Sequence, residues 1–527
     1  PLTFQTLLND DKNLADNLAA YIRKLSPDAY AVIEAYNFDD KITRMDRAGI
    51  LYQVMADFAD LDLRPSVVSN EAMGYIFEEL LRKFSEMSNE TAGEHYTPRE
   101  VIRLVADLLV KGRAAQELTD AERPVRTIYD PAAGTGGMLM VGMQRIKDLN
   151  PGATVMVAGQ ELNDETWAIA QSDLMMQDID PRRMRNGNTL TADAFPTEKF
   201  DFILANPPYG VDWKGYAKPI REEAEDLGFR GRFGAGLPRV SDGSLLFLQH
   251  MLSHMKPNGS RVGIVLSGSP LFSGQAGSGE SEIRRWILEN DWLEGIVALP
   301  DQMFYNTGIS TYIWVLTNDK ADEDRGLVKL IDARAMGIKM RKSLGDKRKE
   351  LSDAAIDEIV QLFGGAHGEF ADDKRVKVLP RETFGFQRVT VERPLRRRWD
   401  VSNASHLIMQ GGEFSDLVVL MGNSYTNQRA LERDLADLPD LSTSAKKKFI
   451  AACAVTDPKA PVLLKKNKPE PDADLRDQEN IPLPAGWFSL DGDERAKALL
   501  DAAENHLETE INPYVPDAWI DHTKTKL

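Results

Sequence analysis

Apolar residues over 71–84 recur at three- and four-residue steps: Met73, Ile76, Phe77, Leu80, Leu81 and Phe84. That period marks one face of a helix. The chain from 1 to about 89 reads as helical throughout, a packed domain with no catalytic pattern. Near residue 91 the period changes. Short β-rich runs at 127–129, 154–158, 200–205, 262–266, 295–299 and 311–316 alternate with helical stretches. That alternation predicts βαβ units and a mostly parallel sheet covered on both faces. Two glycine-rich segments, 228–243 and 268–279, lack an apolar period and read as mobile loops, of the kind that act as lids or guides beside a catalytic sheet. Beyond 332 the charged stretch 340–363 reads as helix, followed by a mixed segment to about 399. The tail from about 401 reads as helical and polar, with a Pro/Lys/Asp-rich linker near 459–477. Four segments are therefore expected: a helical domain 1–90, an α/β domain 91–335, a mixed helical extension 336–400, and a helical tail 401–527 whose composition suits either a docking element or a solvated extension.

Composition narrows the class. A chain of 527 residues suggests two to four domains at roughly 100–200 residues each. It holds no uncharged apolar run of about 18 residues, so no spanning helix is expected. No charged-then-apolar leader opens it, which argues against secretion. The lone Cys453 excludes an internal disulfide framework and a cysteine-based zinc cluster. With 64 basic against 82 acidic residues, the net charge is -18. A protein that holds DNA by itself is usually more basic.

The chemistry begins at Asp130-Pro131-Ala132-Ala133-Gly134-Thr135-Gly136-Gly137, between an expected strand and an expected helix. Glycines at such a turn let the backbone pass close under a ligand. Leu139 stands where a dinucleotide fingerprint needs its third glycine, and no Lys-Ser/Thr follows as in a P-loop. Glu161 ends the next strand, placed to accept hydrogen bonds from both ribose hydroxyls of a nucleoside. Asp193-Ala194-Phe195 sets a carboxylate beside an aromatic ring, which suits an adenine. Then Asn206-Pro207-Pro208-Tyr209 follows the apolar run 200–205. An exocyclic amine on adenine is a poor nucleophile, because its lone pair is spread into the ring. Two acceptors taking its two hydrogens localise that pair. The Asn206 side-chain oxygen and the Pro207 carbonyl can be those acceptors; the prolines fix φ and supply no N–H. Tyr209 offers a face on which a base can stack. The remaining work is alignment for in-line attack on a methyl sulfonium. Upstream, Thr97 can cap a helix, with Pro98 at its first position and Glu100 completing a capping box. The turn before that cap can lie over the cofactor.

Taken in order, Tyr96-Thr97-Pro98, the glycine-rich turn 130–137, Glu161, Asp193-Ala194-Phe195 and Asn206-Pro207-Pro208-Tyr209 resemble amino-type DNA adenine methyltransferases of the γ class. The segment 89–98, the run Val297-Ala298-Leu299-Pro300 with 303–309 after it, and the helical 73–80 resemble the modification subunit of type I restriction-modification systems. The resemblance covers roughly 65–335 well and the flanks loosely. It implies a Rossmann-like S-adenosylmethionine-dependent methyltransferase sheet, with an N-terminal helical domain and a helical C-terminal tail. It implies that Glu94, His95, Tyr96, Thr97, Pro98, Arg99, the 130–137 turn, Glu161, Leu162 and Asp193-Ala194-Phe195 hold the cofactor, S-adenosylmethionine, while Asn206-Pro207-Pro208-Tyr209 act on the adenine. The implied activity is transfer of methyl to the exocyclic nitrogen of an adenine flipped out of double-stranded DNA. The implied partners are a specificity subunit that reads the sequence, a second copy of the chain and, where one exists, a restriction subunit. The implied place is a prokaryotic cytoplasm. The acidic balance agrees, since a partner would supply most phosphate contacts.

Two other classes compete: a methyltransferase acting on an RNA base or a protein glutamine, and a non-catalytic assembly subunit. The Tyr-Thr-Pro element and the helical flanks argue against the first, and the intact 206–209 set against the second. No metal site is expected; His250 and His254 read as a pair on a helix surface. Trp213 suits either a DNA path or packing, and Arg396-Arg397-Arg398 and Lys446-Lys447-Lys448 read as solvated.

Overall fold

The computed structural model describes residues 3–64, 66–68, 73, 76, 80, 97–257, 259–305, 307–344, 346–366, 368–437 and 441–527. The helix expected over 71–84 falls outside the described residues but for Met73, Ile76 and Leu80, and the run 89–96 lies wholly outside them. The chain divides into two units, Pro1–Arg381 and Glu382–Leu527.

The first unit opens with five helices: Phe4–Leu7, Leu14–Ile22, Pro27–Ala35, Phe38–Arg47 and Leu51–Ala59. Leu7, Leu14, Leu18, Ile22, Ile42, Leu51 and Met55 form their own core. This helical region meets the α/β part through the Tyr36 hydroxyl, 3.3 Å from Ser172 Oγ, and Lys41, 3.9 Å from Glu165.

The α/β part is built on a nine-stranded sheet. Its strands are β1 Val125–Asp130, β2 Thr154–Glu161, β3 Met184–Asn186, β4 Phe202–Ala205, β5 Arg261–Ser267, β6 Leu293–Ala298, β7 Thr311–Thr317, β8 Leu327–Asp332 and β9 Val376–Pro380. They lie in the order β9-β8-β6-β7-β5-β4-β1-β2-β3. Pairings β1–β2, β2–β3, β1–β4, β4–β5 and β6–β8 are parallel, whereas β7 runs antiparallel between β5 and β6, and β9 runs antiparallel to β8. Central strands covered on both faces can be apolar without alternation, and every residue of β4 and β5 is buried. Helix α1, Arg99–Leu109, presses onto β5 so closely that a Cβ at Gly263 would come within 2.9 Å of Val105 Cγ1. Helices α2 Gly137–Leu149 and α3 Asp164–Met176 follow β1 and β2. Asn163 caps α3, accepting from the Glu165 and Thr166 N–H groups. The chain runs outward from β1 to β3, then returns on the other side of β1 as β4. That reversal opens a crevice at the strands' carboxyl ends.

Several local expectations change. The stretch 340–350 is not helical: Ile338–Leu344 and Lys347–Glu350 pair antiparallel, and only Asp353–Gly364 is a helix. The glycine-rich segments pack on each other rather than hang free. The Arg239 N–H donates to Glu280 Oε1 at 2.9 Å, and a Cβ at Gly279 would overlap the Leu237 carbonyl. The second unit is helical in part. Helices Gln428–Ala436, Thr443–Cys453 and Gly492–His506 alternate with short strands, among them Phe386–Glu392 between Asp477–Pro482 and Trp519–Ile520. Arg396 pairs with Asp517, and Arg398 with Asp400.

Candidate active site

Four strand ends converge on one cavity of about 1090 Å³. From β1 come Asp130, Pro131, Ala132, Ala133, Gly134 and Thr135, with Gly137 at the start of α2. From β2 come Glu161, Leu162 and Asn163. After β3 come Gly187, Asn188 and Thr189; after β4 come Asn206 and Pro208. Thr97 and Arg99 close the side toward α1, and Phe247 of the helix Ser244–Ser253 adds an aromatic wall.

The glycine-rich turn is fixed by carboxylates. Asp130 Oδ1 accepts from the Ala132 N–H at 2.9 Å. Glu161 Oε2 accepts from the Gly134 N–H at 2.8 Å, and its Oε1 from the Asn163 N–H at 2.8 Å. Gly134 and Gly136 take φ of +53° and +83°, where a side chain would be strained. Gly136 faces away from the cavity: a Cβ there would lie 3.3 Å from Ala170 Cβ. Burial raises Asp130 to about 8, and the charge of Glu161 adds to the rise.

Asn206 is held at both ends of its amide. Its Nδ2 donates to Thr97 Oγ1 at 2.9 Å, and Tyr209 donates its phenol hydrogen to Asn206 Oδ1 at 2.5 Å. The capping box expected at 97–100 is therefore absent. Pro98 occupies the cap of α1 with no side-chain bond. Thr97 serves Asn206 instead, and Glu100 pairs with Lys347. Burial pushes the Tyr209 phenol above its usual range, so it stays protonated and can donate. The ring meets Phe304 edge-to-face, with centroids 6.0 Å apart. Pro207 is buried, and Pro208 is exposed on the cavity side.

Asp193, Ala194 and Phe195 do not line this cavity. Phe195 is buried edge-to-face on Tyr129 and Phe200. Asp193 Oδ1 accepts from the Phe195 N–H and Oδ2 lies 3.0 Å from His254 Nε2. Burial would raise this carboxyl, but the His254 hydrogen bond and the nearby histidines lower it to about 2. Asn188 and Phe247, which the sequence did not single out, line the cavity. Neither carried a signal beyond its place after a strand or a glycine-rich loop. Glu94, His95 and Tyr96 lie outside the described residues.

His250 and His254 are buried, not on a helix surface. Their nitrogens and a carboxylate oxygen of Asp193 lie within 4.8 Å of one another, a spacing that can hold a metal. The hydrogen bonds assign another role. A guanidinium only donates, so Arg232 Nη1, 3.1 Å from His250 Nδ1, takes that lone pair, and His250 Nε2–H donates to the Tyr129 hydroxyl at 2.8 Å. Burial, with His254 and Arg232 beside it, drives His250 well below its usual range, so it is neutral. Trp213 is likewise core: it is buried and donates its indole N–H to the Arg239 carbonyl at 3.0 Å.

The chain is similar to several known proteins. The Haemophilus influenzae type I restriction enzyme HindI methylase subunit is 30% identical over 305 residues, 57% of this chain and 61% of the relative. The Methanocaldococcus jannaschii type I restriction enzyme MjaIX methylase subunit is 28% identical over 56% of this chain and 49% of its own length. The matches thus span about half to three fifths of these relatives' own length. The crystal structure of a type I restriction-modification system methyltransferase subunit from Streptococcus thermophilus superposes with a TM-score of 0.58 at 25% identity, covering 72% of this chain and 77% of that one. The family model of N-6 DNA methylases matches residues 68–378, more than half of the chain and all the described cavity walls, and the chain belongs to that family.

Proposed function

We propose that the chain methylates the exocyclic nitrogen of adenine in double-stranded DNA, as the modification subunit of a type I restriction-modification complex. The observation that carries this reading is Asn206: its amide is oriented by Thr97 at the rim of a cavity whose other wall is the Asp130–Glu161 turn. S-adenosylmethionine, when bound, would supply the electrophilic methyl group. The residues fit such a ligand in size and donor set. The cavity exceeds what a nucleoside needs, since small-ligand sites run at about 300–1,000 Å³. Glu161 keeps lone pairs facing the cavity for ribose hydroxyls, Asn188 and Phe247 flank the space for the adenine ring, and Asp130 can balance a cationic tail.

For the chemistry, Asn206 Oδ1 accepts one amine hydrogen of the extruded base, and the Pro207 carbonyl is the proposed second acceptor. Both act by alignment and electrostatics, with no ionised base needed before attack. The Tyr209 phenol holds one of the two lone pairs of Oδ1, so it competes with the amine for this atom. The likeness to type I methylase subunits supports a specificity subunit and a second copy of the chain as partners, and the net charge of -18 agrees, since a partner would then supply most phosphate contacts. Cytoplasmic placement belongs to the same proposal. The test is a tritiated methyl-transfer assay on duplex DNA with and without the candidate specificity subunit, followed by base analysis. Label in N6-methyladenine that requires the partner supports the reading. Label in cytosine, in RNA or in protein would overturn it.

A further inference from the structure

Arg232 lies in the glycine-rich stretch after Asn206 and is not part of the cavity lining. Its side chain is nearly buried, 13% exposed. A guanidinium carries five donors in a rigid fork, and here they work in three directions, one of them toward His250 Nδ1 at 3.1 Å. Toward Glu223, Nε donates to Oε1 at 3.0 Å and Nη2 to Oε2 at 2.6 Å. Toward the sheet, Nη1 donates to the Thr189 carbonyl at 2.7 Å and Nη2 to the Leu190 carbonyl at 3.1 Å. Thr189 continues the chain of contacts: its hydroxyl donates to the Pro131 carbonyl at 2.6 Å. Glu223, Arg232, Thr189 and Pro131 therefore tie the inserted segment to two walls of the cavity.

The turn they hold needs outside support. It follows β3, a three-residue strand at the sheet edge with β2 as its one neighbour. Glu161 is in register with Asn186, two residues before Asn188, so this turn borders the place proposed for the ribose and adenine. Thr189 and Leu190 are both buried. Buried carbonyls without a donor are costly, so the turn settles where Arg232 can reach it.

We propose that Arg232, oriented by Glu223, is a positioning residue for the cofactor. It holds the Asn188 turn against the glycine-rich turn and so shapes the nucleoside end of the cavity without touching the ligand. This rests on the reading that the cavity takes an adenosyl group. The test is calorimetric titration of S-adenosylhomocysteine into the full chain, with thermal unfolding followed in parallel. The two failures separate: if the natural chain does not bind the probe, the reading of the cavity is wrong. If it binds, Arg232→Lys keeps a charge opposite Glu223 but loses the fork, and its dissociation constant should rise about 10- to 100-fold, the scale for losing charge-assisted hydrogen bonds. The exchanged pair Arg232→Glu with Glu223→Arg restores the ion pair but not the donors to the two carbonyls. It should recover the unfolding midpoint only in part, because the two buried carbonyls stay without their donors, and should not recover the affinity. An unchanged dissociation constant in Arg232→Lys, or full recovery of affinity in the exchanged pair, would overturn the inference. Should the exchanged pair not fold, Arg232→Lys decides alone, read at a temperature where circular dichroism shows it folded.

Discussion

Replacing Tyr209 by Phe removes one hydrogen bond and little else. The ring keeps its edge-to-face packing on Phe304, while Asn206 Oδ1 loses the phenol donor 2.5 Å away. In the resting chain that phenol occupies the atom which the adenine amine has to reach. A neutral hydrogen bond contributes about 1 kcal/mol net. Asn206 is only half-buried at the cavity rim, so water can satisfy the freed oxygen. Base entry in Tyr209→Phe should therefore be favoured by up to about 1 kcal/mol, roughly fivefold. The assay is steady-state methyl transfer at saturating S-adenosylmethionine, with DNA varied and the specificity partner present. The expected result is a KM for DNA lowered by up to about fivefold and a kcat within about threefold of the natural chain. A hundredfold loss of kcat at unchanged KM would refute the reasoning, because the phenol would then act in the transition state rather than compete with the base.

Three further outcomes follow from the same geometry. Thr97→Val takes the acceptor from Asn206 Nδ2 while nearly keeping shape; kcat should fall about tenfold, Thr97→Ser should restore it, and calorimetry should give an unchanged affinity for S-adenosylhomocysteine. Asp130, raised to about 8 by burial, holds its proton in the folded chain at neutral pH. Its contribution to stability is full below the unfolded value near 3.8 and is lost as pH rises through about 8. A cationic ligand favours the carboxylate, so binding below that pH should release a proton and tighten as pH rises; equal binding heats in buffers of different ionisation enthalpy would contradict this. The isolated chain, at net charge -18, should hold duplex DNA weakly near physiological salt; a tight, strongly salt-dependent complex without a partner, seen by fluorescence anisotropy, would count against the charge argument.

Where a residue stands at the end of a long apolar strand, its place at the cavity was legible in the sequence. Asp130, Glu161 and Asn206 each follow a recognisable run, and each reaches the cavity. The miss at Asp193 has a local cause. Strand β3 has only three residues, too few to show an alternation, so its end was not recognised and Asn188, which lines the cavity where Asp193 does not, went unremarked. Thr97 failed differently. Its spacing to Glu100 satisfies a capping box, but both side chains found partners far away, Asn206 and Lys347; competition across more than 100 residues leaves no trace in local spacing. The strands Ile338–Leu344 and Lys347–Glu350 overlap the stretch 340–363 that read as helix, because their charges hid the strand pattern. His250 and His254 read as surface residues because nothing near them in the sequence announces Arg232, Tyr129 and Asp193, which satisfy them in the core.

The central claim is that the Asn206 amide oxygen activates an adenine amine beside the methyl donor. Single-turnover methyl transfer by Asn206→Ala, with S-adenosylhomocysteine affinity measured on the same preparation, tests it most directly. The expected result is a rate loss of about a hundredfold or more at an affinity within about twofold of the natural chain, since Asn206 is proposed to grip the base rather than the cofactor. Transfer near the natural rate by a variant that still binds the cofactor product would contradict it.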